Sequence, residues 1–460
     1  MIESKLNYLT GFPLFIGSIA VALATFLVVL DYSIANVALP YIAGDLGVSS
    51  NEGTYVITSF AVGNAIALPI TGWLSKRIGL VKLTVLSILG FVFFSWVCGI
   101  SFNLDMIVTA RFFQGLVSGP LIPLSQTLIV SIFPPEKRSK ALSVWSTVVI
   151  IAPILGPILG GWITYDYAWP WIFFINIPIG LFAAYVIFIF LQPFETLKEK
   201  MPTDWIGLLL LAIGVSCLQF LLDKGEQYDW LNSTIIRVCA IASFCSFVYL
   251  IAWEFSHPYP ILELRLLKIP SYAVSILFIA TMYAIYFGGV VLVPLWLQVD
   301  MGYTPTWAGL AVAPLGLIPA LFTGLIAKLV DRVGALIPLA LSLIFFALSS
   351  FDGAFFNTDV DFFHIALSRF LFGFGLLFFI VPLFSLSIRD VPQIKLPSST
   401  GMFHFVRAMM GGVGTSIFTT MWIRRRAFHH SNLVAQVNFT NEPANQLYTQ
   451  LDQLHFSQTQ

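Results

Sequence analysis

Asp31 stands in the run Leu30-Asp31-Tyr-Ser-Ile-Ala-Asn36-Val-Ala38-Leu-Pro40, inside a stretch that is otherwise strongly apolar. A lone carboxylate in such a setting is expensive to ionise, so it must be protonated or paired. A group that gains and loses a proton as its surroundings change is what proton coupling requires. Arg111, in Arg111-Phe-Phe-Gln-Gly115, lies at a similar depth in another apolar stretch, about two turns from its start. The two form a candidate coupling pair, with Asp31 as the proton carrier and Arg111 tuning its proton affinity. The competing readings are a static ion pair that fixes packing, or an Asp31 close enough to the surface to be solvated.

His404 and Arg407 are three residues apart and so lie on neighbouring faces of a later apolar segment. Histidine titrates in the useful range. One reading is a second relay or an anionic-substrate contact; the other is Arg407 reaching toward the membrane interface. Asn36, Gln114, Gln126, His404 and Arg407 are the candidates for a substrate cavity, with Asn64 and Gln298 as further polar positions. Each amide could equally stitch helices together. Gly156, Pro157, Gly160 and Gly161, in Ala152-Pro-Ile-Leu-Gly-Pro-Ile-Leu-Gly-Gly161, carry no chemistry. Their expected role is mechanical, because glycine and proline let membrane helices pack closely and bend.

These residues need a membrane framework. Of 460 residues, 58% are hydrophobic and 10% charged, against about 25% charged in soluble domains. The 23 basic and 23 acidic side chains balance, which excludes a generic polyanion or nucleic-acid binder. Cys98, Cys217, Cys239 and Cys245 all fall in apolar segments without a CxxC pair, so buried thiols are expected rather than a disulfide framework or a metal site. No P-loop, HExxH or GxSxG motif occurs, which removes the usual warrants for ATP-driven transport and hydrolase chemistry, and no cofactor or enzymatic activity is expected.

The apolar runs predict about thirteen spanning helices, at 12–37, 54–73, 81–100, 104–130, 140–163, 171–192, 205–222, 233–253, 271–297, 306–327, 335–351, 362–387 and 398–422. The first is too long for a signal-peptide core. With a cytoplasmic amino terminus, fifteen lysines and arginines, among them Lys76, Arg77, Lys82, Lys137, Arg138, Lys328, Arg332 and Lys395, fall on the inner side. The outer loops are acidic instead. Arg424, Arg425 and Arg426 follow the thirteenth span on the outer side, against the positive-inside tendency.

A repeat divides the chain. Arg111 and Gly115 recur as Arg369 and Gly373, each followed by a Pro-Leu pair, Pro123-Leu124 and Pro382-Leu383. Upstream of each lies a short basic loop, Lys76-Arg77-Ile78-Gly79 and Asp331-Arg332-Val333-Gly334. Duplicated bundles with a site between them are a common transporter architecture. The expected boundaries are an N-terminal six-helix bundle at 1–192, two inserted helices at 193–260, an incomplete five-helix bundle at 261–422 and a polar periplasmic tail at 423–460. Arg369 is expected to be a structural echo of Arg111.

Together these motifs resemble the major facilitator superfamily, in its fourteen-helix drug:proton antiporter branch of the EmrB/QacA type. The loop pattern between helices 2 and 3 reads Gly72-Trp-Leu-Ser-Lys76-Arg77-Ile-Gly79-Leu-Val-Lys82, with Gly72, Arg77 and Gly79 at its motif positions. The helix 5 antiporter pattern is matched at Gly156, Pro157, Gly160 and Gly161, with Ala152 for the first glycine. Trp171-Ile-Phe-Phe-Ile-Asn176-Ile-Pro178 and Gly302-Tyr-Thr-Pro-Thr-Trp-Ala308-Gly309 add to the match. Three departures stand out: Lys76 where the family loop usually has Asp, Pro170 where many relatives are basic, and an end near Gln460 where relatives continue through a fourteenth helix.

The resemblance implies an all-α polytopic membrane protein of the major facilitator fold, with two six-helix bundles and two inserted central helices. It implies proton-coupled export of hydrophobic or amphipathic compounds across a bacterial inner membrane. It further implies an EmrA-like periplasmic adaptor and a TolC-like outer-membrane channel as partners. The alternatives are export of an endogenous compound, such as a fatty acid or siderophore, and a truncated remnant that does not transport.

Overall fold

The computed structural model describes residues 8–198, 202–303 and 305–436. The described chain is helical, and thirteen long segments run back and forth. The first half holds α1 (Gly11–Asp45), α2 (Tyr55–Ile78), α3 (Leu80–Gly99), α4 (Leu104–Ile132), α5 (Arg138–Asp166) and α6 (Trp171–Phe190). An inserted pair follows, α7 (Trp205–Lys224) and α8 (Thr234–Ser256). The second half holds α9 (Pro270–Val299), α10 (Trp307–Val333), α11 (Leu336–Gly353), α12 (Phe362–Ile388) and α13 (Leu396–Gln436). Eleven of these helices are long and apolar enough to cross a membrane, and α5 makes a twelfth despite a 44° bend between Pro153 and Ile158. The bend lies over the Gly-Pro run, where proline removes a helix hydrogen bond. The more polar α13 completes the bundle by packing along α9 and α2.

The repeat seen in the sequence is a repeat in space. In the first half α1 packs on α5 and α2 on α4; in the second, α9 packs on α13 and α10 on α12. The motif glycines make the close approaches. A Cβ on Gly115 would run into the Phe60 backbone of α2, and one on Gly373 would sit 3.0 Å from the Pro314 and Leu315 carbonyls of α10. Gly79 and Gly334, at the matching α2–α3 and α10–α11 turns, both have positive φ, 102° and 79°, which favours glycine. The halves meet where α5 packs on α10 and α2 on α13, and the inserted pair packs against α2 and α13.

One asymmetry remains. In the first half α6 fills the groove between α1 and α3, where Gly180 fits against Val92, Ile88 and Leu27. In the second half the matching groove between α9 and α11, lined by Met282, Tyr286, Leu343 and Phe346, has no such helix over it among the described residues.

One expectation needs correction. Of the four cysteines only Cys98 is buried by protein; Cys217 and Cys239 are half-buried and Cys245 is exposed. The inserted pair has only one side against the bundle, so its other apolar faces are left for lipid. The polar segment expected from 423 is helical as far as Gln436, and the remainder lies outside the described residues. At about 1.5 Å per residue, the 41-residue α13 is about twice as long as a bilayer core is thick, so it continues beyond it. Its arginines find acids there. Arg426 Nε lies 3.1 Å from Asp300, and Arg424 lies 3.9 Å from both Glu226 and Asp229. This local neutralisation is how a basic cluster sits at the acidic end of the bundle.

Candidate functional site

Four helices of the first half bring polar side chains to one point in its apolar interior. Asp31 comes from the middle of α1, Ser95 from α3, Arg111 and Gln114 from α4, and Asn176 from the start of α6. Asp31, Arg111, Gln114 and Asn176 are each 0% exposed. Spacing explains the α4 contribution, because residues three apart share a helix face and Arg111 and Gln114 both turn toward α1.

Asp31 accepts from three side chains. Arg111 Nη1 donates to Oδ2, while Asn176 Nδ2 and Gln114 Nε2 reach Oδ1 at 3.0 and 3.3 Å. Arg111 also donates from Nη1 to Gln114 Oε1 at 2.8 Å and from Nε to the Val56 carbonyl of α2 at 3.2 Å. Its guanidinium lies 4.2 Å from the Phe60 ring centre and 5.5 Å from that of Phe173. Gln114 Nε2 is fixed by Ser95 Oγ at 2.7 Å, and the Cys98 thiol lies 3.6 Å from Gln114 Oε1. Three side-chain donors thus converge on one carboxylate. Arg111 Nη2 and Asn176 Oδ1 have no partner, so the network keeps an unused donor and an unused acceptor.

The arrangement can bind a proton in exchange for an ion pair. Protonated Asp31 would lose its attraction for Arg111, and the guanidinium would have to find other acceptors in an apolar interior. Among the described residues the second half has no such buried pair. Arg369 is buried but faces hydroxyls, with Nη2 3.4 Å from Ser349 Oγ and 3.3 Å from Ser368 Oγ.

The other expected site residues separate. Gln126 and His404 form their own buried pair, 2.7 Å apart, joining α4 to α13 and walled by Trp145, Phe384 and Phe403. Arg407 bonds neither of them and lies 5.4 Å over the Tyr283 ring of α9. Asn36 is exposed and donates at 2.7 Å to the Tyr32 carbonyl one turn back, apart from the Asp31 cluster. Asn64 is tied to Ser118, and Gln298 to its own helix. Asn176 and Ser95 were not among the expected residues. The signal for Asn176 was a lone amide in an apolar run, Ile175-Asn176-Ile177; Ser95 offers none, since serines occur throughout these helices.

The glycine motif divides as well. A Cβ on Gly156 would collide with Ser33 of α1 and sit 3.2 Å from Ile34 N, and one on Gly160 would sit 2.9 Å from Ile34 Cγ1. Ser33 Oγ donates to the Pro153 carbonyl at 3.1 Å, so α1 and α5 are pinned just beyond Asp31. Gly161 faces nothing within 4 Å. The Pro157 side chain lies outside the described part of the structure.

Contacts between the halves gather toward the end of the bundle that carries Lys76 and Arg77. There Thr127 meets Thr400 at 3.1 Å, Thr147 meets Thr323 at 2.9 Å, and a Cβ on Gly72 would sit 2.5 Å from Ser398 Cα. The basic loop is held too: Lys76 pairs with Glu263, and Arg77 donates to Thr203 Oγ1 at 2.7 Å. Gly79 lets Glu195 approach closely enough to accept from Val81 N and Lys82 N, both at 3.0 Å, at the start of α3.

Comparison with known proteins agrees with this architecture. The Major Facilitator Superfamily matches over residues 21–415. Multidrug export protein EmrB of Escherichia coli (strain K12) is 44% identical over 453 residues, covering 98% of this chain and 88% of that protein. Fatty acid resistance protein FarB of Neisseria gonorrhoeae is 41% identical over 420 residues, covering 91% and 83%. Among solved structures, the human organic anion transporter MFSD10 (TETRAN) superposes with a TM-score of 0.62 at 16% identity, covering 88% of this chain and 93% of that one. The proton:xylose symporter XylE gives a TM-score of 0.60 at 15% identity, covering 92% and 90%, and at such identities the likeness speaks for the fold alone. A duplicated helical bundle with an inserted pair, matched along nearly its whole length, makes this chain a multi-pass membrane protein that belongs to the Major Facilitator Superfamily, in the group that holds the EmrB proteins.

Proposed function

We propose that this protein exports small hydrophobic or amphipathic compounds across a bacterial inner membrane in exchange for protons. The observation that carries the proposal is the buried Asp31 carboxylate, held by Arg111, Gln114 and Asn176 within an apolar bundle. An intramembrane ion pair is costly, and a carrier needs a group whose charge can be cancelled by one proton. Asp31 takes a proton from the outside, releases Arg111, and returns the proton to the cytoplasm as the halves rock. The excess of basic residues at the Lys76 end supports a cytoplasmic position for it. On that orientation the close contacts between the halves at the Lys76 end support a closed inner side, the state in which Asp31 would collect protons. Gly156 and Gly160 keep α5 close to α1, so that movement of α5 is felt one turn from Asp31.

The likeness to a multidrug export protein supports drugs as substrates, and we propose an EmrA-like adaptor and a TolC-like channel as partners. The likeness to FarB, nearly as close, supports fatty acids as a second substrate class. The test is efflux of a panel of dyes and medium-chain fatty acids from cells lacking their own pumps, with and without this chain and a proton uncoupler. Uncoupler-sensitive efflux that Asp31→Asn abolishes is expected. Efflux untouched by the uncoupler, or none of any compound, would refute the proposal.

A further inference from the structure

Glu263 lies between α8 and α9, in the segment that leads from the inserted pair into the second half. Its carboxylate touches both halves. Oε1 accepts from Lys76 at the end of α2, and Oε2 lies 3.0 Å from Lys395 Nζ in the turn before α13. Ser398 Oγ donates to Oε1 at 3.4 Å. Here α2 and α13 approach closely, with Gly401 packed on the Leu68 carbonyl as well as Gly72 on Ser398. Without Glu263 this contact would set two lysines side by side.

The inserted helices hold that charge in place. Glu254, at the end of α8, is 1% exposed and accepts from Leu262 N at 3.2 Å, one residue before Glu263. At the start of the insert, Thr203 is bound by Arg77. Both ends of the inserted pair therefore attach to the basic loop of the first half. When the halves separate at this end, Glu263 can follow only one of its two lysines. The other charge-assisted contact, between groups only 12–19% exposed on the Lys76 side, must break.

We propose that Glu263 is the positioning residue of the cytoplasmic gate, and that the inserted pair is the arm that carries it. The proposal rests on the alternating-access reading above. It gives α7 and α8 a task in transport: they hold in place the anion that joins two cationic rims when the inside is shut.

Alkylation tests it. The reporter is Thr400→Cys, with Cys217, Cys239 and Cys245 replaced by alanine; Thr400 is 2% exposed at the contact with α4. Inside-out vesicles are treated with a membrane-impermeant maleimide. Glu263→Gln is expected to raise the labelling rate about fivefold, the factor that losing one partly solvated charge-assisted bond implies. Lys395→Gln is expected to do likewise. Relocating the charges, with Lys76→Glu, Glu263→Lys and Lys395→Glu together, is expected to restore slow labelling, which a merely structural glutamate would not allow. An unchanged rate in Glu263→Gln, or fast labelling in the relocated variant, would overturn the proposal. The labelling needs neither substrate nor proton gradient, so failure of export would leave this result standing.

Discussion

Replacing Gly156 by alanine puts a methyl group where Ser33 already is. The new Cβ would overlap Ser33 Oγ and Cβ and lie 3.2 Å from Ile34 N, a backbone atom that cannot turn aside. Helices α1 and α5 must then part or shear, and overpacking of this kind costs about 1–3 kcal/mol. Gly161, five residues on in the same motif, faces nothing within 4 Å, so Gly161→Ala should cost nothing measurable and should gain slightly in helix propensity. The assay is thermal unfolding in detergent beside dye efflux in inside-out vesicles. Gly156→Ala should lower both the melting temperature and the efflux rate, Gly156→Leu should abolish efflux while still inserting, and Gly161→Ala should match the parent. Adding Ser33→Gly removes both crowding atoms and should recover most of the loss from Gly156→Ala. Equal tolerance at Gly156 and Gly161, or no recovery with Ser33→Gly, would refute the argument that close approach is the motif's role.

Other predictions follow from the same geometry. Arg111→Lys keeps the charge but cannot bond Asp31, Gln114 and the Val56 carbonyl at once, so uphill efflux should fall at least tenfold with the protein still folded, as read by transport and by gel filtration. Gln126→Ala leaves His404 Nε2 buried without a partner and should cost about 1–3 kcal/mol in detergent unfolding. Arg424→Ala breaks only long, exposed ion pairs and should change stability by less than about 1 kcal/mol. The Glu263 latch should be insensitive to pH across the working range. Burial pushes its carboxyl up, but the hydrogen bonds and charges of Lys76 and Lys395 outweigh this and hold it below its ordinary value. Its contribution is therefore present above the ordinary carboxylate range and is lost only as the pH falls through the lowered value. Labelling of Thr400→Cys, normalised at each pH to labelling of the same thiol in denatured protein, should stay flat from about pH 8 to about pH 5.

The sequence was most informative where membrane physics leaves few options. Asp31 and Arg111 had to be paired or neutralised, and at matching depths each was the other's nearest candidate. The repeat was legible because close helix crossings and positive φ both demand glycine, so Gly115 and Gly373, and Gly79 and Gly334, mark equivalent places. Polar residues without such constraints were harder. Asn36 follows Asp31 by five residues, about 140° around the helix, and so leaves the face that binds Arg111. Asn176 reaches Asp31 through the packing of α6 on α1, and Ser95 joins the cluster through Gln114 and Asn176 by the packing of α3 on α4 and α6, which no local pattern encodes. Arg407 had a hydrophobic partner, Tyr283, that hydropathy alone does not choose. Glu263 was the least visible of all, because its two lysines lie 187 and 132 residues away along the chain.

The central claim is that one buried carboxylate couples proton movement to export. It is tested most directly in proteoliposomes holding purified protein and an amphipathic dye, with a pH gradient imposed across the membrane. The parent should accumulate dye against its concentration gradient, while Asp31→Asn should bind the dye and reach only equilibrium. Uphill accumulation by Asp31→Asn at the parent's rate, driven by the same gradient, would contradict the account.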